Sequence, residues 1–188
     1  RLGLITGDTA DGTTGSHDFL AMFIRGLRAL GCVPQEALTE LGSKLALDIT
    51  PVDWAAGAMA ALILHQNGAN QTYHLANEEP LSLKRLAQLF IKTDRDLPLL
   101  KMSQLQSRQS TFNQEAAAAY LSLCRLYDGN LKQFANHRVM DLFQATDIKF
   151  DCQNSKQALS SLTDGKVSHT CPQATDELIS LYIRQALR

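Results

Sequence analysis

The chain has 188 residues, 45% of them hydrophobic and 20% charged, and a formal net charge of −1 at pH 7. That length supports one domain, or one domain with an appendage, around a real core. The near-zero charge offers no broad basic field to nucleic acid or anionic lipid, no apolar run approaches the ~20 residues of a membrane span, and no signal-peptide pattern stands at the start. A cytoplasmic protein that binds neither nucleic acid nor membrane is therefore expected.

The opening run RLGLITG reads as an apolar strand with no cap or turn before it. Domains rarely open inside a core strand, so an N-terminal partner segment is expected upstream of Arg1. Gly7 to Gly15 is a glycine-rich loop, and a helix follows from Ser16 to Leu30. Ser16 can cap it, Phe19, Leu20, Phe23, Leu27 and Leu30 form its apolar face, and Gly31 ends it. Strand, glycine-rich loop and helix together suggest a phosphate cradle. The spacing is not GxGxxG, however, no Gly-Lys-Ser/Thr follows, and Asp8 and Asp11 would repel a phosphate. The EF-hand pattern is also missed. The expectation is a flexible loop closing over a pocket at a strand end.

After a loop with a short helix at 35–41, the stretch LALDITPVDWAAGAMAALIL (45–64) reads as a strand running into a buried helix. Thr50 can cap that helix, Pro51 suits its first turn, and Asp53 stands where a carboxylate can reach back to the cap. Trp54 reads as core. Gly57 at mid-helix costs about 1 kcal/mol against alanine, which implies a close neighbour, and Gly68 reads as a stop. Residues 72–76 read as a second alternating strand, with His74 as a hydrogen-bonded core residue. A turn at 77–80 leads to a helix capped by Ser82. Strand, helix, strand, helix argues an α/β architecture with at least partly parallel pairing.

From Asp94 the character turns helical. Helices are expected at 113–128, ended by Gly129, at 131–143, at 154–162 with Asn154 as cap, and at 175–187. A brief extended piece is expected at 148–150. The chain thus divides into an α/β part, 1–93, and a mainly helical part, 94–188.

No active site follows from residue chemistry alone. The four tyrosines, Tyr73, Tyr120, Tyr127 and Tyr182, lack a lysine four residues on, and there is no Gly-x-Ser-x-Gly elbow. His17, His65, His74, His137 and His169 are scattered, with His65 read as a contact to a helix C-terminus. Cys32, Cys124, Cys152 and Cys171 form no CxxC pair, so reduced thiols and no metal site are expected. Asn70 opens a glycosylation sequon that nothing else supports.

Three segments in order, RLGLITGDTADGTTGSHDFLAMFIRGLRALGCVP, LALDITPVDWAAGAMAALIL and TYHLANEEPLSLKRLAQLF, resemble the C-terminal portion of thioester reductase domains. These are extended short-chain dehydrogenases that close nonribosomal peptide synthetases, carboxylic acid reductases and aminoadipate reductases. Leu2 stands where that family usually has proline, and Trp54 where it has another aromatic. The tail, FDCQNSKQALSSL and CPQATDELISLYIRQAL, is also similar.

The resemblance implies the C-terminal part of a Rossmann-type fold. NADPH would be bound mainly by an N-terminal Rossmann half of the same protein, with the Ser/Thr-Tyr-Lys chemistry also upstream, so no catalytic residue and no reductase activity are expected in this chain alone. The backbone of Leu2, Gly3, Leu4 and Ile5 would face the nicotinamide amide. Asp8, Asp18, Phe19 and Met22 would line the acyl or phosphopantetheine channel, and the helical part would form the wall on which an acyl or peptidyl carrier protein docks. Asp53 stays a helix cap rather than a catalyst. Two other readings stay open: part of a nucleotide-sugar epimerase or dehydratase, and a non-catalytic carrier-docking module.

Overall fold

The computed structural model describes residues 1–15, 18–64, 71–127, 150–162 and 167–188. Ser16, His17, His65, Gly68, Asn70, Gly129, His137, the helix expected at 131–143 and most of the piece at 148–150 lie outside the described residues.

The elements alternate through the first half: β1 (Leu4–Thr6), α1 (Phe19–Leu30), β2 (Val33–Pro34), a 3-10 turn (Gln35–Leu38), α2 (Glu40–Lys44), β3 (Ala46–Leu47), β4 (Ile49–Pro51), α3 (Val52–Ile63), β5 (Leu81–Ser82) and α4 (Leu83–Thr93). Then come β6 (Leu99–Leu100), α5 (Met102–Ser107), a second 3-10 turn (Gln109–Thr111), α6 (Gln114–Tyr127), α7 (Gln153–Leu162) and α8 (Asp176–Ala186). The α/β class is as expected.

β1 runs parallel to β4, with Leu4 opposite Ile49 and Thr6 opposite Pro51. β2 is parallel to β6, and β3 is antiparallel to β5. The single strand expected before α3 is thus broken in two at Asp48. Its Oδ1 accepts from the Asn77 N–H at 2.7 Å and the Thr50 hydroxyl at 3.1 Å. Burial pushes the Asp48 carboxyl above its ordinary pKa, against those hydrogen bonds and the Arg1 charge. Gly3 packs on this pair: a Cβ there would overlap the Thr50 hydroxyl and both carboxylate oxygens. The strand expected at 72–76 contracts to one parallel bridge, Leu2 to Leu75.

Two apolar clusters hold these pieces. In the first, Leu20 and Ile24 of α1, Ile49 of β4, Leu86 and Phe90 of α4, and Ile179 and Ile183 of α8 pack together. In the second, Trp54, Ala58 and Leu62 of α3 meet Leu75 and Leu159. Trp54 is core as expected, and its Nε1–H donates to the Ser168 carbonyl at 2.9 Å. The neighbour expected at Gly57 is Val167, 3.4 Å from where a Cβ would stand.

Helix ends follow local chemistry in most places. Gly31 closes α1 in the left-handed region at φ 65°. Ser82 and Thr175 cap α4 and α8 through the Arg85 and Leu178 N–H groups. Three expectations need correction. α1 begins at Phe19, capped by Asp18, whose carboxylate accepts from Ala21 N–H at 2.7 Å. Thr50 does not cap α3; Pro51 holds the cap position and Thr50 is a buried strand residue. At α7, Asp151 accepts from the Gln153 N–H, while Asn154 lies inside the helix and donates to the Thr72 carbonyl. No helix among the described residues is long and apolar enough to cross a membrane.

Candidate functional site

The C-terminal ends of β1 and the start of α3 border an open cleft of about 640 Å³. Ile5, Thr6, Thr13, Thr14, Asp18 and Val52 line it. Ends of parallel strands are where α/β folds present ligand sites, since the following loops diverge there. Ile5 and Val52 supply apolar surface, and the threonine hydroxyls can donate or accept.

One wall of the cleft is the glycine-rich loop, and it is braced rather than the flexible lid expected. Asp8 N–H donates to the Thr13 carbonyl at 2.9 Å, and Gly12 N–H to the Asp8 carbonyl at 3.1 Å. The Asp8 carboxylate accepts from Ala10 N–H, and the Asp11 carboxylate from Thr13 N–H at 2.8 Å. These bonds hold the Asp11 carboxyl below its ordinary pKa. Gly12 sits at φ 76° against Leu181, a conformation that disfavours any other residue. Thr9 donates both its N–H and its hydroxyl to Asp53. Asp53 is therefore not the capping-box residue expected; its carboxylate holds the loop to the first turn of α3. Tyr182 of α8 donates its hydroxyl to the Gly7 carbonyl at 2.6 Å.

On the other side of Asp18 lies an apolar groove of about 280 Å³ between α1 and α6. Phe19, Met22, Phe23, Leu27, Ala118 and Ala119 line it, with Arg25 and Glu115 at its margin. Phe19 and Phe23 stack at 6.1 Å, and Met22 is half-exposed at the groove. Gly26 lets the helices meet: a Cβ there would stand 2.7 Å from the Ala119 Cβ.

The residues expected to form a site are thus distributed. Phe19 and Met22 share the groove, Asp18 faces the cleft while capping α1, and Asp8 turns its carboxylate into the loop itself. Of the four residues expected to face a nicotinamide, Ile5 reaches the cleft. Gly3 N–H and Leu4 N–H donate to the Leu75 and Asp48 carbonyls, and Leu2 pairs with Leu75. The sequence reading missed α6 as the second wall of the groove. The one available signal was the alanine run at 116–119, which permits a close helix approach. Among the described residues no group of three His, Cys, Asp or Glu side chains could hold a metal ion. Cys171 is pushed up to about 12, chiefly by burial.

Short, partly parallel strands with a cleft at the end of β1 and a helical flank make a mixed α/β fold. Solved structures make it more specific. The whole chain is similar to the terminal reductase (R) domain of the myxalamid PKS-NRPS biosynthetic pathway, at 21% identity and TM-score 0.67, over 42% of that chain. It is also similar over 98% of its length to a thiolation-reductase di-domain from an archaeal non-ribosomal peptide synthetase, at 14% identity, TM-score 0.61 and 34% of that chain. A third match is the reductase domain of the aureusimine biosynthetic cluster, at 16% identity and TM-score 0.57, over 99% of this chain and 43% of the other. The chain spans less than half the length of these structures. No protein-family model and no curated protein sequence matches it. The chain has the fold of the C-terminal part of terminal reductase domains.

Proposed function

We propose that this chain is the substrate-side portion of an NAD(P)H-dependent thioester reductase that releases a carrier-bound acyl or peptidyl group as an aldehyde or alcohol. The observation that carries this is the likeness of the entire chain to terminal reductase domains, joined to a cleft at the ends of β1 and β4. Residues 1–93 complete the sheet and the cleft, and residues 94–188 supply the helical flank that meets a carrier protein and its phosphopantetheine arm. The thiolation-reductase di-domain among the matches supports that partner.

A preceding Rossmann half would hold most of NADPH, which when bound would supply the hydride for thioester reduction, and this chain would add the cleft lined by Ile5, Thr13, Thr14 and Val52. Ile5 and Val52 give the nicotinamide ring an apolar face, and Thr13 and Thr14 offer hydroxyls to polar groups of either ligand. Asp18 keeps α1 in place and so sets the entry to the groove. Phe19, Met22 and Phe23 bind the acyl tail there, where the gain is about 25 cal/mol per Å² of apolar surface buried.

The experiment is NADPH oxidation by the full-length protein with acyl thioesters of increasing chain length. Met22→Trp is expected to fill the groove and shift preference toward short acyl groups without unfolding the protein. Equal kinetics for all lengths in wild type and variant would remove the groove from the substrate path. No NADPH binding by the full-length protein would instead bring forward the non-catalytic docking module.

A further inference from the structure

We infer that Tyr182 is a positioning residue for the cleft: its hydroxyl fixes Gly7, and through Gly7 the loop whose Thr13 and Thr14 form the cleft wall. Tyr182 is 4% exposed, and its hydroxyl donates to the Gly7 carbonyl at 2.6 Å. The fit is tight on both sides. A Cβ on Gly7 would stand 2.9 Å from the Tyr182 ring and 2.7 Å from the Gly12 carbonyl. Gly12, across the loop, lies against Leu181 and Gln185 of the same helix. Thr6, which leads into the loop, is buried beside the phenol and also lines the cleft.

A second anchor works from the opposite side, where Asp53 of α3 accepts both donors of Thr9. Between the two anchors the loop is closed by its own Asp8–Thr13 and Gly12–Asp8 backbone bonds. Asp53 thus ties the loop to α3 and Tyr182 ties it to α8. Burial, with Asp53, Asp8 and Asp18 nearby, raises the phenol pKa, so Tyr182 stays a proton donor at any ordinary pH. A phenylalanine would fill the same space and leave the buried Gly7 carbonyl without its donor. Helix α8 packs into the core through Ile179 and Ile183, and this hydroxyl gives it a polar link to the loop.

The inference rests on the cleft being the reductase site, and two measurements on the full-length protein separate the two ideas. The first is steady-state NADPH-dependent reduction of a short acyl pantetheine thioester. Tyr182→Phe is expected to raise KM by about fivefold, the equivalent of one net hydrogen bond, with little change in kcat. A wild-type KM in an active Tyr182→Phe protein overturns the inference.

The second measurement is amide hydrogen exchange in the absence of ligand. Faster exchange at Asp8 and Gly12, with the Ile183 and Ala186 amides of α8 still protected, supports the role even if the wild type reduces no thioester. Unchanged exchange at Asp8 and Gly12 overturns it. So does equal deprotection of α8, which would make the hydroxyl an ordinary contributor to stability. A Thr9→Val variant, which removes one donor to Asp53, should speed exchange at the same loop amides and add to the Tyr182→Phe effect.

Discussion

Replacing Gly26 by alanine sets two effects of opposite sign against each other. In the middle of a helix the change gains about 1 kcal/mol from propensity alone. Gly26 is buried, however, and the new Cβ would stand 2.7 Å from the Ala119 Cβ and 3.5 Å from its Cα. Both obstacles belong to a helix and cannot rotate away, so α1 and α6 must separate. Overpacking of this kind costs about 1–3 kcal/mol. The net expectation is a loss of about 1 kcal/mol, which moves a urea midpoint down by about 0.5 M for an m-value near 2 kcal/mol/M. Ala119→Gly alone should also lose about 1 kcal/mol, now from propensity. Together the two substitutions exchange the small residue across the interface, so the double variant should return close to wild type. The resulting coupling of about 2 kcal/mol is well above the error of such cycles. If Gly26→Ala raises the midpoint, or the two changes add, the close approach of the helices does not limit the site. The groove beside this contact should widen in the single variant, so its acyl-length preference is a second readout.

Asp48 gives a pH prediction. Its folded pKa is raised above the ordinary value by burial, so the native state holds the proton more tightly than the unfolded chain. The stabilisation is present in full below the ordinary pKa of 3.8 and is lost as pH rises through the raised folded value. Both of its hydrogen bonds end on Oδ1, so Asp48→Asn keeps the acceptor and removes the buried charge. That variant should be at least as stable as wild type at neutral pH and show a flatter stability curve above about pH 4; an unchanged slope would assign the pH dependence to another group. Thiol labelling gives a further check. Burial raises the pKa of Cys32, Cys152 and Cys171, so these three should resist a disulfide reagent at about pH 8 until denaturant is added. Rapid labelling of Cys171 in the native protein would contradict its packing beside the Ile49 carbonyl.

Local chemistry was legible where the partner lay within one turn. The Ser82 cap and the Gly31 stop follow from three or four consecutive residues, and of the apolar face expected on α1, Leu20, Leu27 and Leu30 are buried. The reading failed where the partner was distant. Asp53 satisfies the capping pattern in sequence, yet its carboxylate accepts from Thr9, 44 residues away. Asn154 does not cap α7 because the helix already begins at Gln153, whose N–H is taken by the Asp151 carboxylate, and the Asn154 amide donates to the Thr72 carbonyl instead. The strands are two or three residues long, too short for a two-residue period to define their ends. The direction of the Tyr182 hydroxyl was not legible, since Gly7 lies 175 residues earlier. For the site, Phe19 and Met22, expected on an acyl channel, share one groove, whereas its opposite wall on α6 depends on a helix crossing that no local pattern encodes.

Helix α8 closes the first core cluster and also tethers the loop near the chain's beginning. A ribosome delivers that helix after all the strands and helices it packs against. Until it emerges, the faces of α1 and α4 that receive Ile179 and Ile183 stay open to solvent, and the loop at Gly7 has only its Asp53 anchor. From the synthesis of α1 until that of α8 the nascent chain therefore carries an exposed apolar surface, the state in which aggregation competes with folding and in which chaperones act. Maturation of the cleft is a late event, timed by translation of the closing helix rather than by formation of the sheet beneath it.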